Sequence, residues 1–562
     1  MSPSLGKYII YYYNDSSLGF LSDFYRFTGK EKLLENTSLS ALSENKIDFF
    51  TYLVKSFLSS FLDFVTLNNI LFLLASILSL LFTYKLIKNL IKNKIISIIF
   101  SILYSFSIYL LFRVISATQA LYFIFVFPVV LSLLINKKSP FLIGFIVFLF
   151  AMMSNYYGFF LFVTVCLWYL SDLVFRKIKV KEFVGRILKF SLTFTLLVAI
   201  FLGPLLYKNL PIFGSYTKSK GTELLEGNSH SASVFRSIGD WYWFSFRPWY
   251  FFIPQKSSIF FGEVSKNIHD RIKFTGYYLA DDYMEEEMAG SYMGWHFLLG
   301  MAFVAVLLLL KKYKNKEFPV FKTVYENKEL ITRSFFIIFC ILLISGPPSF
   351  TIHGIEIYTP TYLLYYIIPV FRTLVRWAVV IYLFVLIINS FLIQDLYNLM
   401  KTKLQKTLFI LTFIALNFVI FAIKIPVINI EKPPVEIAYV KEKYPQSVSY
   451  AVYPKGDYYS IFWVISHEDL LINPVNYVNY ETGFNANEFS KKLITEEGIQ
   501  EFLKQNPKYL IYYPNNISDE DLEKILEINP VLRTRDDIYG FFEQKIGEGV
   551  KVGESVVFEI NN

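Results

Sequence analysis

The chain has 562 residues, of which 54% are apolar, 19% aromatic and 18% charged, against about 45–50% apolar and about 25% charged in soluble domains. That balance excludes a disordered chain and a soluble nucleic-acid binder, and the length leaves room for a membrane body with a soluble appendage. The two cysteines, Cys166 and Cys340, lie inside apolar runs, which leaves neither a disulfide framework nor a Cys-based metal site to argue from.

Residues 1–68 read as an extracytoplasmic loop ending in an amphipathic helix over 48–65. There Phe50, Leu53, Val54, Phe57, Phe61 and Val65 fall near helical spacing, and such a helix lies in the membrane interface rather than crossing it. A loop of this kind is expected to follow a first span missing from the start of this chain. The alternative is that 48–65 itself aids insertion. A bilayer core about 30 Å thick needs about 20 apolar residues per helix, and ten stretches approach this: 69–88, 95–112, 119–135, 140–153, 157–175, 188–207, 294–310, 334–347, 376–394 and 407–424. Together they predict a membrane body over 69–424, interrupted by a long outer loop at 208–293. One such run fits a soluble core helix; ten with little amphipathic periodicity do not.

Lysine and arginine collect in short cytoplasmic loops. Alternate connections carry Lys85 to Lys94, Lys137 and Lys138, Arg176 to Arg186, Lys311 to Lys328, and Lys401 to Lys406, whereas 114–118 and 154–156 carry no basic residue. The alternation accounts for the net charge of +8 without a polyanionic partner. It assigns 1–68, 208–293, 348–375 and 425–562 to the extracytoplasmic side of a multi-pass plasma-membrane protein.

After Pro433-Pro434 the composition becomes that of a soluble domain. Strands are expected at Val448–Tyr453, Tyr509–Tyr513, Gly540–Gln544 and Ser555–Ile560, and helices at Glu497–Gln505 and Ser518–Ile528, the last opened by Ser518 with Asp521 as a cap. The fold class is thus mainly α: a polytopic helical membrane protein of about ten spans with a small C-terminal extracytoplasmic α/β domain.

Ionisable groups near a bilayer are costly and mark candidate function. On the outer side these are Asp15, Asp23, Arg113, Asp240, Glu285 to Glu287, Arg372 and Arg376, each of which also reads as a solvated or snorkelling charge. Acids facing arginines suit chemistry on a phosphate-linked donor, because a carboxylate accepts a proton and arginine forks bind phosphate. His296 reads as a packed histidine rather than a ligand. The aromatic clusters Asp240 to Phe244 and Trp249 to Pro254 read as an interfacial belt or as a binding-site lining.

The order of these features resembles the polytopic GT-C-type glycosyltransferases, in particular an archaeal and bacterial branch. The segment Asn14-Asp15-Ser16 to Phe27 is similar to that family's first outer loop, whose Gly-Asp-Ser or Gly-Asp-Gly motif carries the base. Phe106-Ser107-Ile108-Tyr109 resembles its Phe-Ser-Pro-Tyr turn, and Ser154-Asn155-Tyr156-Tyr157 its Ser-Asp-Trp-Tyr segment. Phe251 to Pro254 and Tyr292 to Trp295 fall where it has Phe-Leu-Pro and Tyr-Leu-Gly-Tyr, and Phe371 to Trp377 resembles its Phe-Arg-Val-Pro-Ser-Arg-Phe stretch. Departures are Asn14 for the Gly, Ala117-Thr118-Gln119 for a Gly-His, and Asn155 for the second Asp.

The resemblance, over about residues 14–395, implies transfer of a sugar from a polyprenyl-phosphate donor to a glycan, lipid or protein acceptor on the outer face, with inversion at the sugar carbon. It makes Asp15 the catalytic base and places Arg372 and Arg376 on the donor phosphate, with Asp240, Arg113 and Asn155 as further substrate-binding positions. No cofactor is required by these residues. A divalent Mg or Mn ion held by Asp15 with Asp240 is left open. The alternatives are a non-catalytic scaffold for surface-polymer assembly, and a lipid or small-molecule transporter, which the scarcity of buried charge disfavours.

Overall fold

The computed structural model describes residues 8–10, 54–55, 57–58, 61–116, 118–208, 238–272, 289–352, 355–368, 371, 373–454, 458–467, 469–474, 478–479 and 484–560. Two compact units emerge, one of residues 1–46, 52–70 and 426–562, the other of residues 47–51 and 71–425. Half of the interfacial helix expected over 48–65 lies outside the described residues. Within it Val54, Lys55, Phe57 and Leu58 are helical, and the exposed rings of Phe57 and Phe61 meet edge to face at 5.5 Å.

The larger unit is mainly helical: α1 (Phe64–Ile91), α2 (Lys94–Ser105), α3 (Ile108–Ile115), α4 (Val126–Ile135), α5 (Pro140–Ala151), α6 (Asn155–Val174), α7 (Val180–Lys208), α8 (Ile238–Trp243), α9 (Gly262–Ile272), α10 (Trp295–Lys314), α11 (Lys322–Glu326), α12 (Lys328–Ser345), α13 (Pro360–Ile367), α14 (Ala378–Leu399) and α15 (Lys403–Phe421). Each of the ten apolar stretches is helical over most of its length. Among the described residues, seven helices are long and apolar enough to cross a membrane: Val65–Ile91, Lys94–Ile115, Asn155–Val174, Val180–Phe201, Trp295–Lys314, Leu374–Leu399 and Lys403–Phe421.

The other three fall short for physical reasons. At about 1.5 Å per residue, α4 and α5 reach only about 15–18 Å, half a bilayer core. The third, α12, has 18 residues but carries Lys328, Glu329 and Arg333 in its first two turns. Between α2 and α3 the helix is interrupted at Phe106-Ser107, where the Ser107 hydroxyl accepts the Leu110 N–H and restarts it.

The innermost element is α14. It is apolar on every side down to Asn389 and buried from Ala378 to Leu392, as expected for a helix without a polar face. It packs against α2, α10, α11 and α12. At the periphery, α7 turns Leu188, Leu192, Leu196 and Ile200 outward, an apolar stripe at i, i+4 spacing that suits lipid and not water. The hairpin of α5 and α6 closes tightly because residue 158 is glycine; a Cβ there would lie 2.3 Å from that of Ala151.

Two strands, β1 (Tyr8–Ile10) and β4 (Val427–Asn429), pair antiparallel in the smaller unit, whereas β2 (Ser349–Ile352) and β3 (Ile355–Tyr358) form a hairpin in the larger. Beyond β4 lie α16 (Val435–Lys443), β5 (Ser449–Tyr453), α17 (Tyr458–His467), β6 (Leu470–Leu471), the short pair β7 (Val478–Asn479) and β8 (Phe484–Asn485), α18 (Ala486–Lys492), α19 (Glu496–Lys504), β9 (Tyr509–Tyr512), α20 (Asp519–Ile528), α21 (Arg535–Ile546), β10 (Gly549–Val552) and β11 (Ser555–Glu559). A five-stranded sheet runs β10-β11-β9-β5-β6, parallel where β5 meets β6 and β9 and antiparallel elsewhere.

One face of this sheet carries Ala451, Tyr453, Leu510, Tyr512 and Phe558 into a core shared with Phe489, Phe502, Ile538 and Phe542. The strands expected near 448–453, 509–513 and 555–560 are present, and Ser518 with Asp521 forms a reciprocal capping box. The expected strand Gly540–Gln544 is instead the middle of α21. Thr534 and Asp537 cap that helix, and Ile538 and Phe542, four residues apart, point together into the core; the Phe541-Phe542 pair mimics a strand only when read without its neighbours.

Candidate functional site

Four of the proposed site residues are described. Asp15 and Arg372 lie outside the described residues, as do Asp23 and Glu285 to Glu287. The four that are described sit on segments tied to one another.

Asn155 begins α6, and the two residues that follow it reach in different directions. Tyr156 lies under the Arg376 guanidinium, 4.7 Å from ring centroid to Cζ, and its hydroxyl donates to Thr373 Oγ1 at 3.5 Å. Its ring also meets Phe371 edge to face at 5.3 Å. Tyr157 is fully buried; its hydroxyl donates to the Leu121 carbonyl at 2.5 Å and meets the Tyr109 hydroxyl at 3.4 Å. Tyr109 in turn lies under Arg113, whose Cζ is 5.1 Å from that ring and 4.7 Å from Phe112. The first turn of α6 therefore links two arginine–aromatic pairs.

A short turn, Ala289–Ser291, packs on both arginine-bearing segments, α3 with Arg113 and the 3-10 turn Leu374–Trp377 with Arg376. Asp240, half-buried in α8, joins the same region through the backbone. The Phe244 N–H donates to its carbonyl at 3.0 Å, and the Phe244 carbonyl accepts the Val375 N–H at 3.1 Å. Buried Arg247 fastens this turn by donating from Nη1 to the carbonyls of Tyr242 (2.6 Å) and Ser245 (2.9 Å). Arg247 escaped the sequence reading, and Tyr109, Tyr156 and Tyr157 entered it only as members of resembled segments, with no role assigned. The available signal was an arginine in a Trp- and Tyr-rich loop and a Tyr-Tyr pair opening a span.

Ser107, Ile108, Tyr109, Gly290, Tyr292, Met293 and Tyr382 line a cavity of about 10 Å³ here, enough for one water molecule and too small for a sugar. Burial pushes the Tyr292 hydroxyl well above its ordinary range, so it is a neutral donor at physiological pH. His296 lies apart from this cluster: Nε2 is 3.2 Å from Asn417 Oδ1, and the ring packs on Phe297 at 3.9 Å and on Phe413 and Phe421.

Stacking uses the face of a guanidinium and leaves its donors in plane, the geometry that recognises phosphate oxygens. Phenol hydroxyls and the Asn155 amide add neutral hydrogen-bonding groups. Asp240 is the only carboxylate of the proposed set among the described residues. No three His, Cys, Asp or Glu side chains converge among the described residues to hold a cation, so the described part of the site does not fit a divalent ion. The arrangement places two arginines, one of them buried, against aromatic rings.

The second buried charge cluster was not singled out in the sequence. Asp172 in α6 accepts from Arg333 Nη2 of α12 through Oδ1 and from Arg186 Nη1 of α7 through Oδ2 at 3.3 Å, while Arg333 lies 4.1 Å over the Trp168 ring. Asp395 of α14 accepts the N–H groups of Thr323 and Val324, both at 3.0 Å, capping α11 from a distance. These charges sit at helix ends beside the lysine-rich loops and close on structural partners. No family model matches the chain, and no curated protein matches it either.

Proposed function

We propose that the protein is a GT-C-type membrane glycosyltransferase that takes a sugar from a polyprenyl-phosphate donor and passes it to an acceptor on the extracytoplasmic face. The observation that carries this reading is the first turn of α6, where Tyr156 and Tyr157 join the aromatic cradles of Arg376 and Arg113 on mutually packed segments. In this mechanism Arg376, with Arg372, neutralises the leaving phosphate as charge develops. Asp15 takes the acceptor proton. The lysine distribution supports a ten-span plasma-membrane topology with 425–562 outside.

A non-catalytic scaffold on the same architecture is the second reading, favoured by Asn155 standing where the resembled family has a carboxylate. The two are separated by transfer from a radiolabelled polyprenyl-phosphate sugar by the full chain in nanodiscs. The enzyme reading expects transfer in the parent, none with Asp15→Asn, and a raised KM for donor with Arg376→Gln at unchanged expression. Full activity in Asp15→Asn removes that residue from the mechanism, and absence of transfer in the parent over a panel of donors and acceptors favours the scaffold.

A further inference from the structure

The hairpin β2–β3 and the helix α13 that follows it are built the wrong way round for water. In the register Ser349↔Tyr358, Phe350↔Ile357, Thr351↔Glu356 and Ile352↔Ile355, side chains alternate between two faces. The polar face is tied to the rest of the unit through Ser349, whereas Thr351, Glu356 and Tyr358 on the same face are exposed. Buried Ser349 bonds Tyr242 of α8 and donates to Glu356 Oε1 at 2.5 Å, and Tyr358 donates to Glu356 Oε2 at 2.8 Å. The other face presents Phe350, Ile355 and Ile357 outward, with Ile355 68% exposed. A hairpin facing water on its outer side normally shows the reverse alternation.

The same inversion continues along α13. Thr361 and Tyr365 are buried, whereas Leu363, Tyr366 and Ile367 are exposed. Tyr358, Tyr362 and Tyr366 form a ladder with successive ring centroids 4.5 and 5.0 Å apart, the residue type enriched at the headgroup level. From Ser334 to Phe371 the sequence contains one formally charged side chain, Glu356, and no lysine or arginine. The segment also continues an outward-facing apolar surface, because Phe339 and Leu343 near the end of α12 are exposed as well. Both of its flanks are apolar helices.

We infer that residues 349–352 and 355–367 form a lipid-contacting finger, the apolar face of the hairpin and of α13 lying in the acyl region of the leaflet on the lysine-poor side. Its tyrosines stand at the headgroup boundary and its polar face remains bonded to Tyr242. The bilayer is the partner the surface fits: continuity with the outward faces of the helices places it at lipid, and the lack of charge argues against a solvated protein interface. The finger depends on the membrane reading and is independent of catalysis. Because it is anchored on α8, which carries Asp240, and leads by α13 into the Arg376 turn, it is placed to hold a lipid-linked molecule beside the candidate site.

The test uses the full chain with Cys166 and Cys340 replaced by serine and single cysteines introduced for an environment-sensitive fluorophore. The probes are Ile355→Cys on the apolar face, Thr351→Cys on the polar face, Leu196→Cys on α7 as lipid reference and Lys551→Cys as water reference. Each is reconstituted in nanodiscs of phosphatidylcholine and phosphatidylglycerol, with and without a spin label on the acyl chain. The finger predicts blue-shifted emission at position 355 and loss of most of its fluorescence to the spin label, as at 196, with 351 quenched far less. Quenching at 196 but not at 355 overturns the proposal and leaves the membrane reading standing. Blue-shifted but unquenched emission at 355 also overturns it, in favour of a covering protein surface, and no quenching at either position removes both.

Discussion

Asp172 offers the sharpest energetic test of the helical unit, because one carboxylate joins three helices. Its Oδ1 bonds Arg333 and its Oδ2 lies 3.3 Å from Arg186; the side chains of Asp172 and Arg333 are only 10% and 7% exposed. Removing one partner of a buried pair costs about 3–5 kcal/mol, because the other charge stays buried without compensation. Asp172→Asn keeps the shape but leaves the Arg333 guanidinium against Trp168 with only the exposed Glu329 carboxylate, 3.8 Å away, as a charge partner, so it falls at the low end of that range. Arg333→Met keeps some packing on Trp168 and leaves Asp172 to Arg186, and its cost is expected nearer about 2–3 kcal/mol. The Arg186 side chain is 33% exposed and solvent-screened, so Arg186→Met costs at most about 1 kcal/mol and loses that effect in high salt.

Unfolding is read through a thiol-reactive dye, since both cysteines lie within apolar helices. The expected order of destabilisation is Asp172→Asn, then Arg333→Met, then Arg186→Met. The double variant of 172 and 333 is expected to be milder than the sum of its parts by about 2 kcal/mol or more. Strict additivity, or an Asp172→Asn variant as stable as the parent, refutes the bridge.

Other consequences are more local. Gly300 of α10 sits against the central helix so closely that a Cβ would lie 2.1 Å from Asn389 Oδ1, while Asn389 Nδ2 donates to the Phe297 and Val385 carbonyls at 3.1 and 2.8 Å. Gly300→Ala is expected to cost about 2–3 kcal/mol from overpacking and loosened hydrogen bonds, and adding Asn389→Ala is expected to recover part of it; a double variant worse than the sum contradicts this. In the smaller unit, Thr534→Ala removes a capping box and is expected to lower stability by about 1 kcal/mol, with the Asp537 carboxyl, now held below its ordinary value mainly by Thr534, rising toward it in an NMR titration. Burial holds the hydroxyls of Tyr453, Tyr509, Tyr512 and Tyr513 well above the ordinary tyrosine value. An unfolded chain releases those protons near pH about 10. The stabilisation from the neutral phenols is therefore complete below that pH and falls as pH rises through and beyond it. Limited subtilisin digestion is expected to begin cutting between 449 and 513 only above that threshold, and resistance persisting at pH 12 counts against it.

The sequence was most legible where one physical term dominates. Ten apolar runs marked helices because burial of apolar length needs no knowledge of neighbours, and Ser518 with Asp521 marked a helix start because capping is local. Legibility failed where the deciding partner is distant. The strand expected at 540–544 became α21 because Thr534 and Asp537 cap it and Phe542 finds the sheet core. Asp172 was passed over as one acid in an apolar run, since its meaning comes from Arg333, 161 residues away.

The candidate site shows the same division with a different outcome. Arg113, Asp240 and Arg376 were chosen one by one because charge near a bilayer is costly, and Asn155 through the resemblance alone; neither argument can say whether they meet. What joins them is uncharged: Tyr109, Tyr156 and Tyr157, together with the backbone bond from Val375 to Phe244. Aromatic side chains are abundant throughout this chain, and at 19% of residues their presence alone discriminates nothing. Position does: Tyr156 lies under the Arg376 guanidinium, while its neighbour Tyr157 reaches the hydroxyl of Tyr109, the ring under Arg113, so consecutive residues of one helix touch both arginine–aromatic pairs. Under the proposed function, recognition of the donor phosphate would depend on the first turn of α6 as much as on either arginine. Tyr156→Leu is accordingly expected to weaken donor binding comparably to Arg376→Gln, whereas Tyr156→Phe, which keeps the ring and loses only a 3.5 Å hydroxyl contact, is expected to preserve it.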